Sequence, residues 1–115
     1  MLFSRKDGKW KIADFGLSSE ATSKHARTTL FSNGTPSYRA PELLNEEPKY
    51  TNKVDIWGLG CILYELLFGV KLFNGDWDVI AYRNSKSPIS IPVPVGNLCV
   101  KSHLSGVISE LLELD

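Results

Sequence analysis

The side chains whose types and spacing could do chemistry gather between Asp14 and Asp55. Asp14-Phe15-Gly16 sets a carboxylate at the head of a long polar stretch, residues 17–35, rich in Ser, Thr and Ala. Taken alone, an Asp-x-Gly triplet reads as a turn. Thr28, Thr29 and Ser32 offer hydroxyls further along. Spacing leaves two readings open for them. They are solvated loop groups, or they accept a phosphate, whose roughly two negative charges order a loop by pairing with arginine. A tighter pattern follows in Gly34-Thr35-Pro36-Ser37-Tyr38-Arg39-Ala40-Pro41-Glu42, and Asp55 then stands at the head of an apolar run. Thiol chemistry is not indicated. Cys61 and Cys99 lie far apart, make neither a disulfide framework nor a metal site, and read as reduced, buried thiols.

These residues need elements to hold them. Leu2-Phe3 and Trp10-Lys11-Ile12-Ala13 are strand-like runs joined through Asp7-Gly8, which tolerates positive φ, so a hairpin is predicted. The stretch from Leu17 to Thr35 has no sustained period and reads as a long loop. Pro41 suits the first turn of a short helix through Leu44, and residues 45–50 read as a polar connection. Thr51 or Asn52 can cap the next helix, Asp55 opposes its N-terminal dipole, and Gly69 stops it after Phe68. Apolar residues from Val54 to Phe68 cover nearly its whole circumference, which marks a helix buried on all sides. Asp76 to Arg83 has the pattern for another short helix. Residues 87–95, with Pro88, Pro92 and Pro94, read as an extended surface loop. Leu104, Val107, Ile108, Leu111 and Leu112 keep a helical period and define a last amphipathic helix.

A chain of 115 residues holds one small domain. Its 13 basic residues balance 13 acidic ones, so nothing points to nucleic acid or to a membrane-attracting patch. The N-terminus has no signal-peptide pattern, and the apolar run 54–68 is too short to span a bilayer. A cytoplasmic or nuclear protein is the expectation.

The Gly34 to Glu42 segment resembles the end of the activation segment of eukaryotic protein kinases. Lys53-Val54-Asp55-Ile56-Trp57-Gly58-Leu59-Gly60 resembles the start of the central helix of their large lobe, and Asp14-Phe15-Gly16 precedes both in the family's order. The resemblance covers essentially the whole chain. It implies a mainly α fold with a short N-terminal β-hairpin, part of the α+β kinase C-terminal lobe. By the same likeness Asp14 matches the Mg²⁺-binding aspartate beside the phosphates of ATP, and Phe15 the packing residue that separates active from inactive states. Gly16 permits the backbone flip between those states. Thr35 matches the threonine that hydrogen-bonds the catalytic aspartate. Pro36, Ser37 and Tyr38 would shape the pocket for the substrate residue after the phosphoacceptor. The segment lacks the Pro-x-x-Trp pattern of tyrosine kinases, which favours Ser/Thr specificity. Glu42 matches a glutamate paired with a buried arginine, and Asp55 an aspartate that holds the catalytic loop's backbone. Thr28, Thr29 and Ser32 fall where such kinases are often phosphorylated.

The likeness also implies parts that this stretch does not carry: the Gly-rich phosphate loop, the ATP-pairing lysine, and the His-Arg-Asp catalytic loop with its asparagine. Residues 1–115 are then a partial kinase domain cut at both ends, with ATP and Mg²⁺ as the family's cofactors but poorly held here. The expected function is that of a protein Ser/Thr kinase domain fragment, acting in the family on protein substrates and inactive alone. The alternatives are a non-catalytic binding module and a truncated product. A neutral chain with an exposed apolar patch on the 54–68 helix would favour association.

Overall fold

The computed structural model describes residues 2–16, 27–28, 34–85, 87, 89, 91 and 98–114, those at 98–102 by backbone only. The chain starts with the predicted hairpin. Strand β1 (Leu2–Ser4) pairs antiparallel with β2 (Lys9–Lys11), Phe3 opposite Trp10. Gly8 takes φ +61° in the turn between them. Asp7 accepts bonds from Lys11 Nζ (2.5 Å) and Ser4 Oγ (2.9 Å), and these hold its carboxyl below the usual range. The Phe3 and Trp10 rings meet at 5.2 Å on one face of the ribbon.

One pairing was not foreseen. Strand β3 (Arg27–Thr28) lies antiparallel to β4 (Lys49–Tyr50), with Thr28 opposite Lys49. The expected loop 17–35 and the expected polar connection 45–50 therefore meet at these residues. The predicted short helix is a 3-10 turn, Pro41–Leu44, with proline at its start. Thr29 and Ser32 lie outside the described residues, as does most of the proline-bearing stretch 87–95.

Helix α1 (Lys53–Phe68) is followed by α2 (Asp76–Ser85) and α3 (Leu98–Leu111). Among the described residues no helix is long and apolar enough to cross a membrane. Of the two expected caps on α1, Asn52 holds the cap position without a side-chain bond, while Thr51 Oγ1 accepts from the Lys53 N–H at 3.3 Å. Gly69 ends the helix in the left-handed region at φ +72°, its N–H on the Glu65 carbonyl at 2.8 Å.

The all-round burial that an apolar circumference marks is not met by the described residues, and the exposed apolar patch expected on the 54–68 helix is present. Trp57, Gly60, Cys61 and Tyr64 face the core, but Ile56 is 46% and Leu66 54% exposed, with Leu59 between them also exposed. A uniformly apolar circumference shows what a helix tolerates, whereas its burial depends on neighbours, and α2, α3 and the 3-10 turn cover only one side. The core joins Trp57, Cys61 and Tyr64 to Ala40, Phe73, Val79, Ile108 and Leu112. Cys61 is the expected buried thiol.

Two glycines of α1 behave oppositely. A Cβ on Gly60 would stand 2.9 Å from Leu112 Cγ and 3.1 Å from Leu111 Cβ, so the close approach of α1 and α3 requires glycine there. At Gly58 the nearest atom to such a Cβ is the Tyr38 carbonyl oxygen at 3.8 Å, an ordinary contact. Gly58→Ala should stabilise by up to about 1 kcal/mol through helix propensity. Gly60→Ala should destabilise despite the same gain, because overpacking costs about 1–3 kcal/mol. Urea midpoints of the two variants should move in opposite directions.

Candidate functional site

The segment Gly34–Glu42 is pinned to the helices at several points. Gly34 has φ +96°, a value that suits glycine, and its carbonyl accepts from Arg39 Nε at 2.9 Å. Thr35 opens a turn closed by the Tyr38 N–H on its carbonyl at 3.2 Å. Ser37 sits inside this turn at φ +78° and is buried, while Thr35 and Pro36 stay exposed. Tyr38 Oη donates to Glu65 Oε2 on α1 at 2.5 Å. That bond, followed by burial and the Glu65 charge, pushes the Tyr38 hydroxyl up to about 12, so it remains a donor throughout the physiological range. Lys71 Nζ lies 5.5 Å from the centre of the same ring, within cation–π reach. Arg39 Nη1 reaches Asp76 Oδ2 at 2.6 Å, and Ala40 is buried in the core.

The helices hold the next residues as firmly. Arg83 Nη1 donates to the Pro41 carbonyl at 3.3 Å and to Asn45 Oδ1 at 2.7 Å, which ties the end of α2 to the 3-10 turn. Just before α2, Asp78 Oδ2 accepts from both the backbone and side-chain nitrogens of Asn74 at 2.9 and 3.0 Å, which ties the loop to the helix's first turn. Glu42 occupies the first turn of the 3-10 segment, half-buried.

Among the described residues, the other expected site residues are exposed. Asp14 is exposed at φ +71°, a left-handed value that aspartate tolerates better than most residues. Phe15 is 67% exposed. Gly16 follows, with room for a Cβ 3.6 Å from Asp14 Oδ1. Thr28 is exposed in β3, and Asp55 is exposed in the first turn of α1. Among the described residues no group of three or more His, Cys, Asp or Glu could hold a metal ion. Asp14 brings one carboxylate, and the described residues do not by themselves fit a Mg²⁺ site, which takes six oxygens. What the 34–42 residues form is a ledge pinned through Tyr38 and Arg39, with Thr35 and Pro36 exposed at its edge.

A model of the family described as "Protein kinase domain" matches residues 1–113. The chain belongs to the protein kinase family. Among similar proteins, the RAC-beta serine/threonine-protein kinase of Rattus norvegicus is 40% identical over 106 residues, covering 91% of this chain and 21% of that protein. Serine/threonine-protein kinase nekl-2 of Caenorhabditis elegans is 42% identical over 76 residues, 66% of this chain and 20% of its own length. Protein kinase C delta type of Homo sapiens is 48% identical over 71 residues, 62% and 10% respectively. The chain spans about a fifth or less of the curated relatives it matches. It is a fragment of a eukaryotic protein kinase, and the three helices and short hairpin of the described residues are those of a partial C-terminal lobe.

Arg39, Glu65, Lys71, Asp76 and Arg83 were not singled out from the sequence. Glu65 carried a signal, since an acid within the apolar run 54–68 needs a partner if its side of the helix is covered.

Proposed function

We propose that this kinase fragment is the substrate-positioning part of a protein Ser/Thr kinase domain. The parent reaction moves the γ-phosphoryl group of ATP to a protein hydroxyl. The reading is carried by the pinned turn at Gly34–Tyr38, fixed through Glu65 and Asp76, with Thr35 and Pro36 left open to a substrate. Thr35 orients the catalytic aspartate, and Pro36, Ser37 and Tyr38 shape the pocket beyond the phosphoacceptor. Asp14 is the family's metal ligand, with Phe15 and Gly16 beside it. Thr28, Thr29 and Ser32 are candidate regulatory acceptors.

Phosphoryl transfer is positioning plus electrostatics, and one aligned group does not supply it. The purified 115-residue chain with ATP, Mg²⁺ and Ser/Thr peptides should transfer no phosphate. Transfer that tracks the chain through purification would overturn that expectation. Grafting this chain in place of the 106-residue matching stretch of the rat kinase should give an active Ser/Thr kinase. In that graft Thr35→Ala should lower kcat by about 100-fold, the scale of a misplaced reacting group. An inactive but folded graft sinks the reading.

A second reading, a non-catalytic binding module, draws on the exposed Ile56, Leu59 and Leu66 of α1. It requires the isolated chain to fold and to take up a partner saturably, and circular dichroism with size-exclusion chromatography tests the first condition.

A further inference from the structure

The guanidinium of Arg39 grips two things at once: the carbonyl of Gly34 through Nε and the carboxylate of Asp76 through Nη1. The Arg39 and Asp76 side chains are 16% and 28% exposed, while the bond to Gly34 lies at the exposed edge of the turn. A planar fork with fixed donor angles can hold both acceptors together, which a lysine ammonium on one flexible stem cannot. Asp76 Oδ1 is buried and finds no hydrogen-bond partner among the described residues, so Arg39 is what anchors this carboxylate. The tie between α2 and the loop before it is separate, as Asp78 makes it through Asn74. At its other end α2 holds the Pro41 carbonyl and Asn45 through Arg83. Helix α2 therefore grips the segment on both sides of Ala40.

We propose that Arg39 and Asp76 are positioning residues that couple α2 to the Gly34–Tyr38 turn, so that the seating of α2 sets how rigidly the turn is presented to a protein substrate. This rests on the substrate-positioning reading of that turn. The coupling is a property of the chain itself, and its test needs no phosphoryl transfer.

The measurement is residue-resolved amide hydrogen exchange on the full 115-residue chain. The reporter is the Tyr38 N–H, bonded to the Thr35 carbonyl, and the controls are the amides of Val79 in α2 and Cys61 in α1. Asp76→Asn keeps the shape and removes the charge, and should speed Tyr38 exchange by about tenfold, while the controls stay within about twofold. Arg39→Lys should act likewise, because it cannot span both acceptors. Asp76→Glu keeps a carboxylate and should restore most of the protection. The proposal is overturned if Tyr38 exchange is unchanged in both loss variants, or if Val79 and Cys61 accelerate in step with it. It also falls if the unaltered chain shows no protection at Tyr38. An inactive rat-kinase graft with these exchange results intact would sink the substrate reading alone, and an active graft with unchanged exchange would sink the clamp alone.

Discussion

Trp57→Ala should remove about 3–5 kcal/mol of stability, which is most of what a small domain has. Trp57 is 3% exposed and lies at the centre of the aromatic group: its ring stacks on Phe73 at 5.7 Å, 10° from parallel, and meets Tyr82 at 6.0 Å. Phe73 and Tyr82 touch in turn at 5.8 Å, so truncating the indole opens a cavity between α1, α2 and the loop that joins them. Collapse to fill it is resisted, because Tyr82 is also tied to the Leu112 carbonyl at 3.3 Å. Trp57→Phe should recover much of the loss. It keeps a ring for the stack and removes the indole N–H, which is buried without a hydrogen-bond partner among the described residues. The exposed counterpart, Trp77→Ala, should stay within about 0.5 kcal/mol. Urea unfolding followed by circular dichroism separates these cases. A Trp57→Ala loss no larger than that of Trp77→Ala would show that the aromatic group does not organise the core.

Cys61 should be almost inert to thiol reagents until the chain opens. Burial pushes its thiol from an ordinary 9.0 up to about 12. A shift of that size cuts the thiolate fraction near pH 8 by about 1000-fold, and the thiolate is the reactive form. In a Cys99→Ser background, labelling of Cys61 should therefore track global unfolding in denaturant. Fast labelling of the folded chain would contradict the packing described. The same shift has a sign for stability. Between the ordinary and the folded value the unfolded chain releases the proton and the folded chain keeps it, so alkaline conditions favour unfolding. Stability is unaffected by this thiol below about pH 9 and falls as pH rises toward 12. The raised Tyr38 hydroxyl acts in the same direction, from its ordinary 10.0 upward.

Features governed by local chemistry could be read from the sequence. Asp7-Gly8 announced the hairpin, Pro41 the 3-10 turn, and Gly69 the end of α1, because turn and cap preferences act within a few residues. The pairing of β3 with β4 was not legible. Strands of two residues show no alternation, and their partners lie far along the chain. Helix α3 starts at Leu98, ahead of the period seen from Leu104, since Lys101, Ser102 and His103 interrupt the apolar pattern there. The site divides the same way. Thr35 to Arg39 stood out as a pattern, but the anchors of Tyr38 and Arg39, Glu65 and Asp76, are reached across 27 and 37 residues and follow only from packing.

The stacked indole at the heart of the core gives the chain a built-in optical gauge. Of its three tryptophans, Trp10 and Trp77 face water, and Trp57 alone is shielded. An indole emits at shorter wavelength as water leaves it, so a Trp10→Phe, Trp77→Phe chain would shine blue when folded and redden as the helices part. The colour of one ring then reports whether α1 and α2 are seated against each other, and with them the ledge they carry.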